Sequence, residues 1–461
     1  MRLKFLDRTE ETRRLKRAFA AAEGTFCCLY GRRRCGKSRL LQEILPIGHS
    51  VYHVADESEA ALQKVAFATS IAGLLPGFDL VSYPDWNSLL GRWIKEAPKG
   101  SVLAIDEFPY LANASSDLES VLQKTVDHST AKGIHLVICG SSQRMMQGIV
   151  LDASAPLYGR AREIINVKPL DAGWISDALR FNSPAEALSA FAVWGGVPRY
   201  WELASDFDST WEAVCDLVLD PAGVLHDEPH RLLLDDTRDT AQASSILTVI
   251  GQGCHRLSEI AGRVGKPATS LSRPIQRLID LGFVRRDYPF GLSEKDTKRT
   301  VYRMADPFLL FWFRYVQPNR SRLEAKDTTG LREEIAMAFS HHAGHVWEDL
   351  VRAAVPRMKI SGYEWTSAQR WWGNDLHGKA LECDVVARSA DGKTLLAGEV
   401  KMKLTARQAR ATLADLRQKI ERLPAAESAA RVVPVVFTAG NKPATADACC
   451  VDVADVLAAL R

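Results

Sequence analysis

Three uninterrupted apolar runs mark the first third of the chain: "TFCCLYG" at 25–31, "SVLAIDE" at 101–107 and "IHLVICGSS" at 134–142. Each has the length of a strand, and none alternates with polar residues. Patterned helical stretches such as 39–45 and 117–128 lie between or beside them. Strands apolar on both faces, alternating with helices, predict a parallel α/β sheet. From about 171 to 250 the pattern turns helical, punctuated by "GGVPRY". Residues 245–290 read as helices followed by a strand hairpin. From about 340 to 461 the order is helix, strands, helix, strand, a second α/β unit. No internal repeat or low-complexity segment interrupts this order.

Composition narrows the picture. At 461 residues the chain exceeds one core and is expected to divide into about three domains. It is 46% hydrophobic and 25% charged with a net charge of +3, the balance of a soluble globular protein. The N-terminal stretch "MRLKFLDRTEETRRLKRAF" contains no apolar secretory core, and "DPFLLFWFRYV" is too short to span a bilayer. A cytoplasmic protein without a membrane partner is therefore expected. The nine cysteines lack CxxC spacing and are read as reduced thiols, with Cys27, Cys28, Cys139 and Cys383 in the core. Charge is uneven: residues 251–320 hold 13 Lys/Arg against 6 Asp/Glu, a local +7 that leaves −4 elsewhere. A basic module in a near-neutral chain points to a polyanion.

"GRRRCGKS", Gly31 to Ser38, fits G-x-x-x-x-G-K-[ST] between an expected strand and an expected helix. Backbone N–H groups of Gly31, Arg32, Arg33, Arg34, Cys35 and Gly36, with the helix start through Arg39, would cradle the phosphates of ATP. Lys37 would reach the β and γ phosphates, and Ser38 would ligate Mg²⁺. "VLAIDEF" supplies Asp106 as the outer Mg²⁺ ligand and Glu107 to polarise the attacking water.

The ordered segments "FLDRTEETRRLKRAF", "LYGRRRCGKSRLL", "VLAIDEFPYL", "CGSSQRMM", "APLYGRA" and "GGVPRYW" resemble the archaeal-type P-loop ATPases, in the signal-transduction branch of the AAA-like superfamily. The resemblance covers about residues 3–205. It implies that Ser141 or Ser142 senses the γ-phosphate, that Arg160 is a candidate arginine finger, and that Pro198 lies near the adenine. The plainer readings are a helix cap for the serines, a surface charge for Arg160 and a tight turn at "GGVP".

The basic stretch 255–290 has the grammar of a winged helix-turn-helix. Leu257, Ile260, Ala261 and Val264 form one apolar stripe, and Leu271, Ile275, Leu278 and Ile279 the next, with a turn at Gly265. The second helix would present Ser270, Arg273, Gln276 and Arg277 to DNA, and the wing would add Lys295, Lys298 and Arg299. Pro274 is compatible with this only if the second helix starts near Ser272. The alternative is a winged helix used for protein contacts.

In "LECDVVARSADGKTLLAGEVKMK", strands at 381–387 and 394–401 flank an Asp-Gly turn, a hairpin signal. Period-two alternation places Glu399 and Lys401 on one face, and the pairing sets Asp384 across from Glu399. With the upstream helix carrying Glu348, and a following helix and strand "RVVPVVF", this order resembles the PD-(D/E)XK nuclease core, the restriction-endonuclease-like fold. That resemblance implies Mg²⁺ chelated by Asp384 and Glu399 with Glu348 as outer ligand, and Lys401 orienting the water. Glu382 is expected to pair structurally.

The expected fold is thus α/β throughout. A P-loop NTPase parallel sheet (1–170) precedes a helical lid (171–240), a winged helix-turn-helix (241–320) and a C-terminal restriction-endonuclease-like domain (335–461). The expected function is an ATPase that binds DNA and cuts it with a metal-dependent nuclease. The alternative is an ATP-driven DNA-binding switch or assembly scaffold whose nuclease-like domain serves only for contacts. Both a homo-oligomer and a partner protein are compatible with the chain.

Overall fold

The computed structural model describes residues 3–237, 239–293, 299–443 and 450–461. Its contacts divide the chain into two compact units: Asp7–Pro169, and Leu170–Arg461 together with the described residues before Asp7.

In the Asp7–Pro169 unit, strands β1 (Phe26–Tyr30), β2 (Ser50–Val54), β3 (Val102–Asp106), β4 (His135–Gly140) and β5 (Glu163–Asn166) form one sheet in the order β2-β3-β4-β1-β5. All its pairings are parallel. Every residue of β1, β3 and β4 is buried, which is why these segments read as unbroken apolar runs. One core packs Phe26, Cys28, Leu103, Ile105 and Ile138 with Phe67, Trp86 and Trp93 from the helices. Two consequences matter for the site. The strand ending in Asp106 is separated from the P-loop strand by β4, and both end at the same edge of the sheet because all five run parallel.

The Leu170–Arg461 unit begins with helices, among them Pro184–Trp194 and Pro198–Ala204. Helices Thr240–Gly251, Leu257–Val264 and Ala268–Asp280 then lead into a two-stranded antiparallel ladder of β6 (Val284–Asp287) and β7 (Val301–Met304). Gly265, at φ 71°, caps Leu257–Val264 in the left-handed conformation that ends it. Ile260, Ala261, Leu271, Ile275 and Leu278 are buried as the two stripes require.

The second helix corrects one expectation. It starts at Ala268, not near Ser272, so Pro274 lies inside it rather than in its first turn. Pro274 supplies no N–H to the carbonyl of Ser270, and Ser270 is exposed, so water can take that bond. The apolar stripe through Leu271, Ile275 and Leu278 holds the helix through the interruption.

"DPFLLFWFRYV" is a core element: Phe308, Leu309, Phe311, Trp312, Phe313 and Val316 are buried. Among the described residues no helix is long and apolar enough to cross a membrane. After the long helix Thr328–Ala354 comes a short ladder of β8 (Lys359–Ile360) and β9 (Tyr363–Glu364). A five-stranded mixed sheet follows, made of β10 (Gln369–Asn374), β11 (Ala380–Arg388), β12 (Thr394–Lys401), β13 (Arg431–Thr438) and β14 (Cys450–Asp452) in sequential order. β10, β11 and β12 pair antiparallel, while β12, β13 and β14 pair parallel. Helix Ala406–Ile420 provides the crossover from β12 to β13.

Candidate active site

The loop between β1 and helix Lys37–Ile44 is shaped by three residues at positive φ: Gly31 (147°), Arg34 (68°) and Gly36 (90°). A Cβ on Gly31 would lie 2.4 Å from the Val167 carbonyl oxygen, so only glycine fits where the loop leaves the sheet. Lys37 is buried, and its Nζ donates to the carbonyls of Gly31 (2.8 Å) and Arg32 (3.2 Å). The ammonium therefore lies along its own loop, where a phosphate would compete for it. Arg39 lies within 3.7 Å of Glu43 on the next turn.

At the end of β3, Asp106 is buried; its Oδ1 accepts from the Glu107 N–H (2.9 Å) and its Oδ2 from the Tyr52 hydroxyl (2.6 Å). Burial and the Asp106 bond raise the Tyr52 pKa, while a hydrogen bond with Ser38 opposes the rise. Tyr52 thus connects the two expected metal ligands, Ser38 and Asp106, whose hard oxygen donors suit Mg²⁺. Glu107 sits in the left-handed region at φ 51°, strained for a non-glycine residue. Its Oε2 accepts from both the backbone N–H (3.2 Å) and the hydroxyl (2.9 Å) of Ser141, at the end of β4. Arg160 is paired with Asp127 through Nε (3.0 Å) and Nη2 (3.2 Å). Pro198 opens a helix of the other unit.

Arg8 and Tyr52 were missed by the sequence reading. Arg8 is buried at φ 67°, and its Nη2 donates to the carbonyls of Cys35 (2.9 Å) and Lys168 (2.7 Å). It ties the phosphate loop to the segment after β5. The quoted "FLDRTEE" contains it, but nothing local distinguishes it from the arginines that follow. Tyr52 is one of several apolar positions in "SVYHV".

In the C-terminal sheet the β11–β12 register, Val385 opposite Gly398, continues to place Asp384 opposite Glu399. Asp384 Oδ2 accepts from the Val400 N–H at 2.9 Å. Glu399 accepts from Lys401 Nζ (3.1 Å) on Oε2 and from Lys419 Nζ (2.6 Å) on Oε1. Burial and the nearby Glu399 charge push the Asp384 pKa up to about 6. Burial draws the Lys419 pKa down, but the bond to Glu399 prevails and raises it. Glu348 lies 3.6 Å from Arg352, whose Nη1 donates to the Asp384 carbonyl (2.9 Å). Glu382 pairs with Arg370.

Glu348, Asp384 and Glu399 occupy one neighbourhood, yet among the described residues no three His, Cys, Asp or Glu side chains converge as a metal site. Each carboxylate is instead turned to its own partner: Arg352, the Val400 N–H, or the two lysines. Lys419 was missed because it comes from the crossover helix, twenty positions beyond its partner.

On helix Ala268–Asp280, Ser270, Arg273 and Gln276 are exposed and Arg277 is half-buried. Gln276 donates to Asp280 (2.9 Å) and accepts from Arg286 (3.0 Å). Arg299 is exposed, whereas Lys295 and Lys298 lie outside the described residues.

Comparison with known proteins agrees with the N-terminal geometry. Residues 5–201 match the family model described as an ATPase domain predominantly from Archaea. Residues 312–412, which include Glu348, Asp384, Glu399 and Lys401, match one described as "Archaea bacterial proteins of unknown function". An uncharacterized protein of Methanocaldococcus jannaschii is 27% identical over 405 residues, covering 87% of this chain and 88% of that protein. A Walker-type ATPase of Pyrococcus abyssi superposes with a TM-score of 0.52 at 18% identity, covering 67% of this chain and 96% of that one. The Aeropyrum pernix ORC2 protein, solved in ADPNP and ADP complexes, gives a TM-score of 0.47 at 13% identity, covering 71% and 97%. The chain therefore carries an archaeal-type ATPase domain on a P-loop α/β sheet.

Proposed function

We propose that this chain hydrolyses ATP in its N-terminal unit and, under that control, binds and cuts DNA through its C-terminal unit. One observation carries the ATPase reading: Lys37 and Ser38, opening the helix after β1, and Asp106 and Glu107, at the end of β3, lie at the same edge of the sheet, with Tyr52 hydrogen-bonded to both Ser38 and Asp106. ATP phosphates would draw Lys37 off the carbonyls of Gly31 and Arg32. Ser38 and Asp106 would hold Mg²⁺, which supplies charge neutralisation on the phosphates when bound. Glu107 would polarise the attacking water once Ser141 releases it, and Arg160 of a second copy is the candidate finger. In this reading Pro198 contributes near the adenine, and the protein acts in the cytoplasm.

The domain boundaries follow the same reading: ATPase core 1–170, helical lid 171–240, winged helix 241–320 and nuclease-like domain 335–461. The helices Leu257–Val264 and Ala268–Asp280 with the β6–β7 ladder support the winged helix. Ser270, Arg273, Gln276, Arg277, Lys298 and Arg299 would face DNA. The order helix, β11, β12, helix, β13 supports a restriction-endonuclease-like core. There Asp384 and Glu399 would bind a divalent cation beside Glu348, and Lys401, freed from Glu399, would orient water toward a phosphodiester.

A second reading has its own support. Since Glu399 is already neutralised by two lysines, the C-terminal sheet would serve only for contacts in an ATP-driven DNA-binding switch or scaffold. A plasmid-nicking assay with Mg²⁺ or Mn²⁺, with and without ATP, decides between them. Nicking that EDTA and Asp384→Ala both abolish is expected. Absence of cutting on DNA or RNA with any metal and nucleotide establishes the switch.

A further inference from the structure

Within the Leu170–Arg461 unit, arginines from several elements converge on two neighbouring cavities. A cavity of about 40 Å³ is lined by Arg285 of β6, Arg303 of β7, Arg314, His255, His345 and Asp349 of helix Thr328–Ala354. Beside it a larger cavity of about 310 Å³ adds Arg286, Arg352, Arg370 and Asp287. Six arginines thus meet two aspartates. Assigning Asp349, Asp287, Glu348 and Glu382 to Arg285, Arg303, Arg352 and Arg370 leaves Arg314 without a carboxylate among the described residues.

The distances support this assignment. Asp349 is held by Arg285 through two bonds of 2.7 Å and by Arg352 at 2.5 Å. Asp287 takes Arg285 Nε at 3.0 Å and lies 3.8 Å from Arg303. Among the described residues Arg314 faces no carboxylate: its Nη2 is 3.4 Å from His341 Nδ1, and its buried Nη1 has no hydrogen-bond partner there. The histidines do not add acceptor charge. His255 Nδ1 is 3.0 Å from the Tyr302 carbonyl, and His345 packs against the His341 ring. Burial and the adjacent His341, Arg303 and Arg314 push His345 down to about 3, and burial with Arg303 lowers His255, so both rings are neutral. Burial and the neighbouring Arg370 lower even the Arg303 pKa.

Desolvated guanidinium charge without a counter-ion is costly, and an unpaired buried N–H adds to that cost. The small cavity has room for a few waters or one tetrahedral anion. Guanidinium forks match the oxygens of such an anion two at a time. We propose that this cavity is an oxyanion site that takes a phosphate group between Arg303 and Arg314, with the His255 and His345 imidazoles beside it. The phosphate is either free inorganic phosphate or the terminal phosphate of a nucleic-acid strand. The site shares no residue with the P-loop or with Asp384, Glu399 and Lys401, and stands whether or not those centres are catalytic.

The test uses the full chain carrying Lys37→Ala, which weakens phosphate binding at the P-loop. Thermal unfolding and calorimetry are followed during titration with inorganic phosphate at low ionic strength. A concentration-dependent rise in midpoint is expected, with one binding event per chain. Arg314→Gln should weaken that binding at least tenfold. Arg314→Lys, which keeps the charge but loses the fork, should weaken it less and serves if the glutamine variant does not fold. Bound phosphate should also raise the His345 imidazole pKa, read from its ring resonances. Competition by a 5′-phosphorylated oligonucleotide but not by its dephosphorylated twin assigns the site to strand ends, and competition by neither assigns it to free phosphate. Equal competition by both strands, no phosphate binding in the Lys37→Ala chain, or binding indifferent to Arg314→Gln and Arg303→Gln overturns the proposal and leaves the cavity to water.

Discussion

Arg8→Ala tests whether the phosphate loop is held from outside its own motif. Arg8 is 4% exposed, and its Nη2 bridges the Cys35 and Lys168 carbonyls at 2.9 and 2.7 Å. Bonds from a charged donor contribute about 1.5–3 kcal/mol each, and the deletion leaves two carbonyls to find water. Partial hydration brings the expected loss to roughly 3 kcal/mol, or about a hundredfold in an opening equilibrium. Alanine inherits the left-handed φ of 67°, so no strain is relieved. Arg8→Gly loses the same bonds but recovers about 1 kcal/mol of backbone strain, and should be the milder change. Hydrogen exchange read by mass spectrometry on peptides from Phe26–Tyr30 and Lys37–Ile44 isolates this unit from the rest of the chain. Exchange there should accelerate roughly a hundredfold in Arg8→Ala and about fivefold less in Arg8→Gly, with ATP binding weakened in both. Less than a threefold change in Arg8→Ala, or a glycine variant worse than alanine, would refute the bridge as the loop's anchor.

Lys37→Ala should abolish ATP binding, whereas Glu107→Gln should retain it and slow turnover by orders of magnitude, since only the water-polarising carboxylate is lost; unchanged turnover in Glu107→Gln removes its assigned role. Burial works against ionised Asp349, but Arg285 and Arg352 hold its pKa down at about 2. A depressed carboxylate contributes stability above its unfolded value near 3.9, and that contribution is lost as pH falls toward 2. The unfolding free-energy difference between wild type and Asp349→Asn should therefore be level above pH 5 and shrink between about pH 4 and 2; a difference that persists unchanged at pH 2 contradicts the ion pair. Duplex DNA affinity should fall steeply with salt, and replacing Arg273 and Arg277 together by alanine should flatten that slope in filter-binding or anisotropy titrations. A slope indifferent to the pair assigns helix Ala268–Asp280 to protein contacts.

Much of the N-terminal unit was legible because its signals are local. Buried parallel strands show as unbroken apolar runs, and the β1 loop must combine Gly31, Lys37 and Ser38 within eight positions to bend around a phosphate. The β11–β12 hairpin was legible for the same reason. Alternation sets Glu399 with Lys401, and Gly392 at φ 75° closes the turn that brings Asp384 opposite. Pro274 shows the limit of local rules: a proline that should start a helix lies inside one, because the buried Leu271, Ile275 and Leu278 outweigh one missing hydrogen bond. What only the tertiary structure decided is which distant groups share a neighbourhood. Arg8 reaches Lys168 across 160 positions, Tyr52 meets Asp106 through strand pairing, and Lys419 meets Glu399 from a crossover helix. The arginine-lined cavity gathers Arg285, Arg303, Arg314 and Asp349 from two strands and two helical segments. Period and spacing encode the geometry of a single turn, helix or strand pair, whereas these contacts depend on how separate elements pack, and packing is decided by the burial of whole faces rather than by any short run of residues.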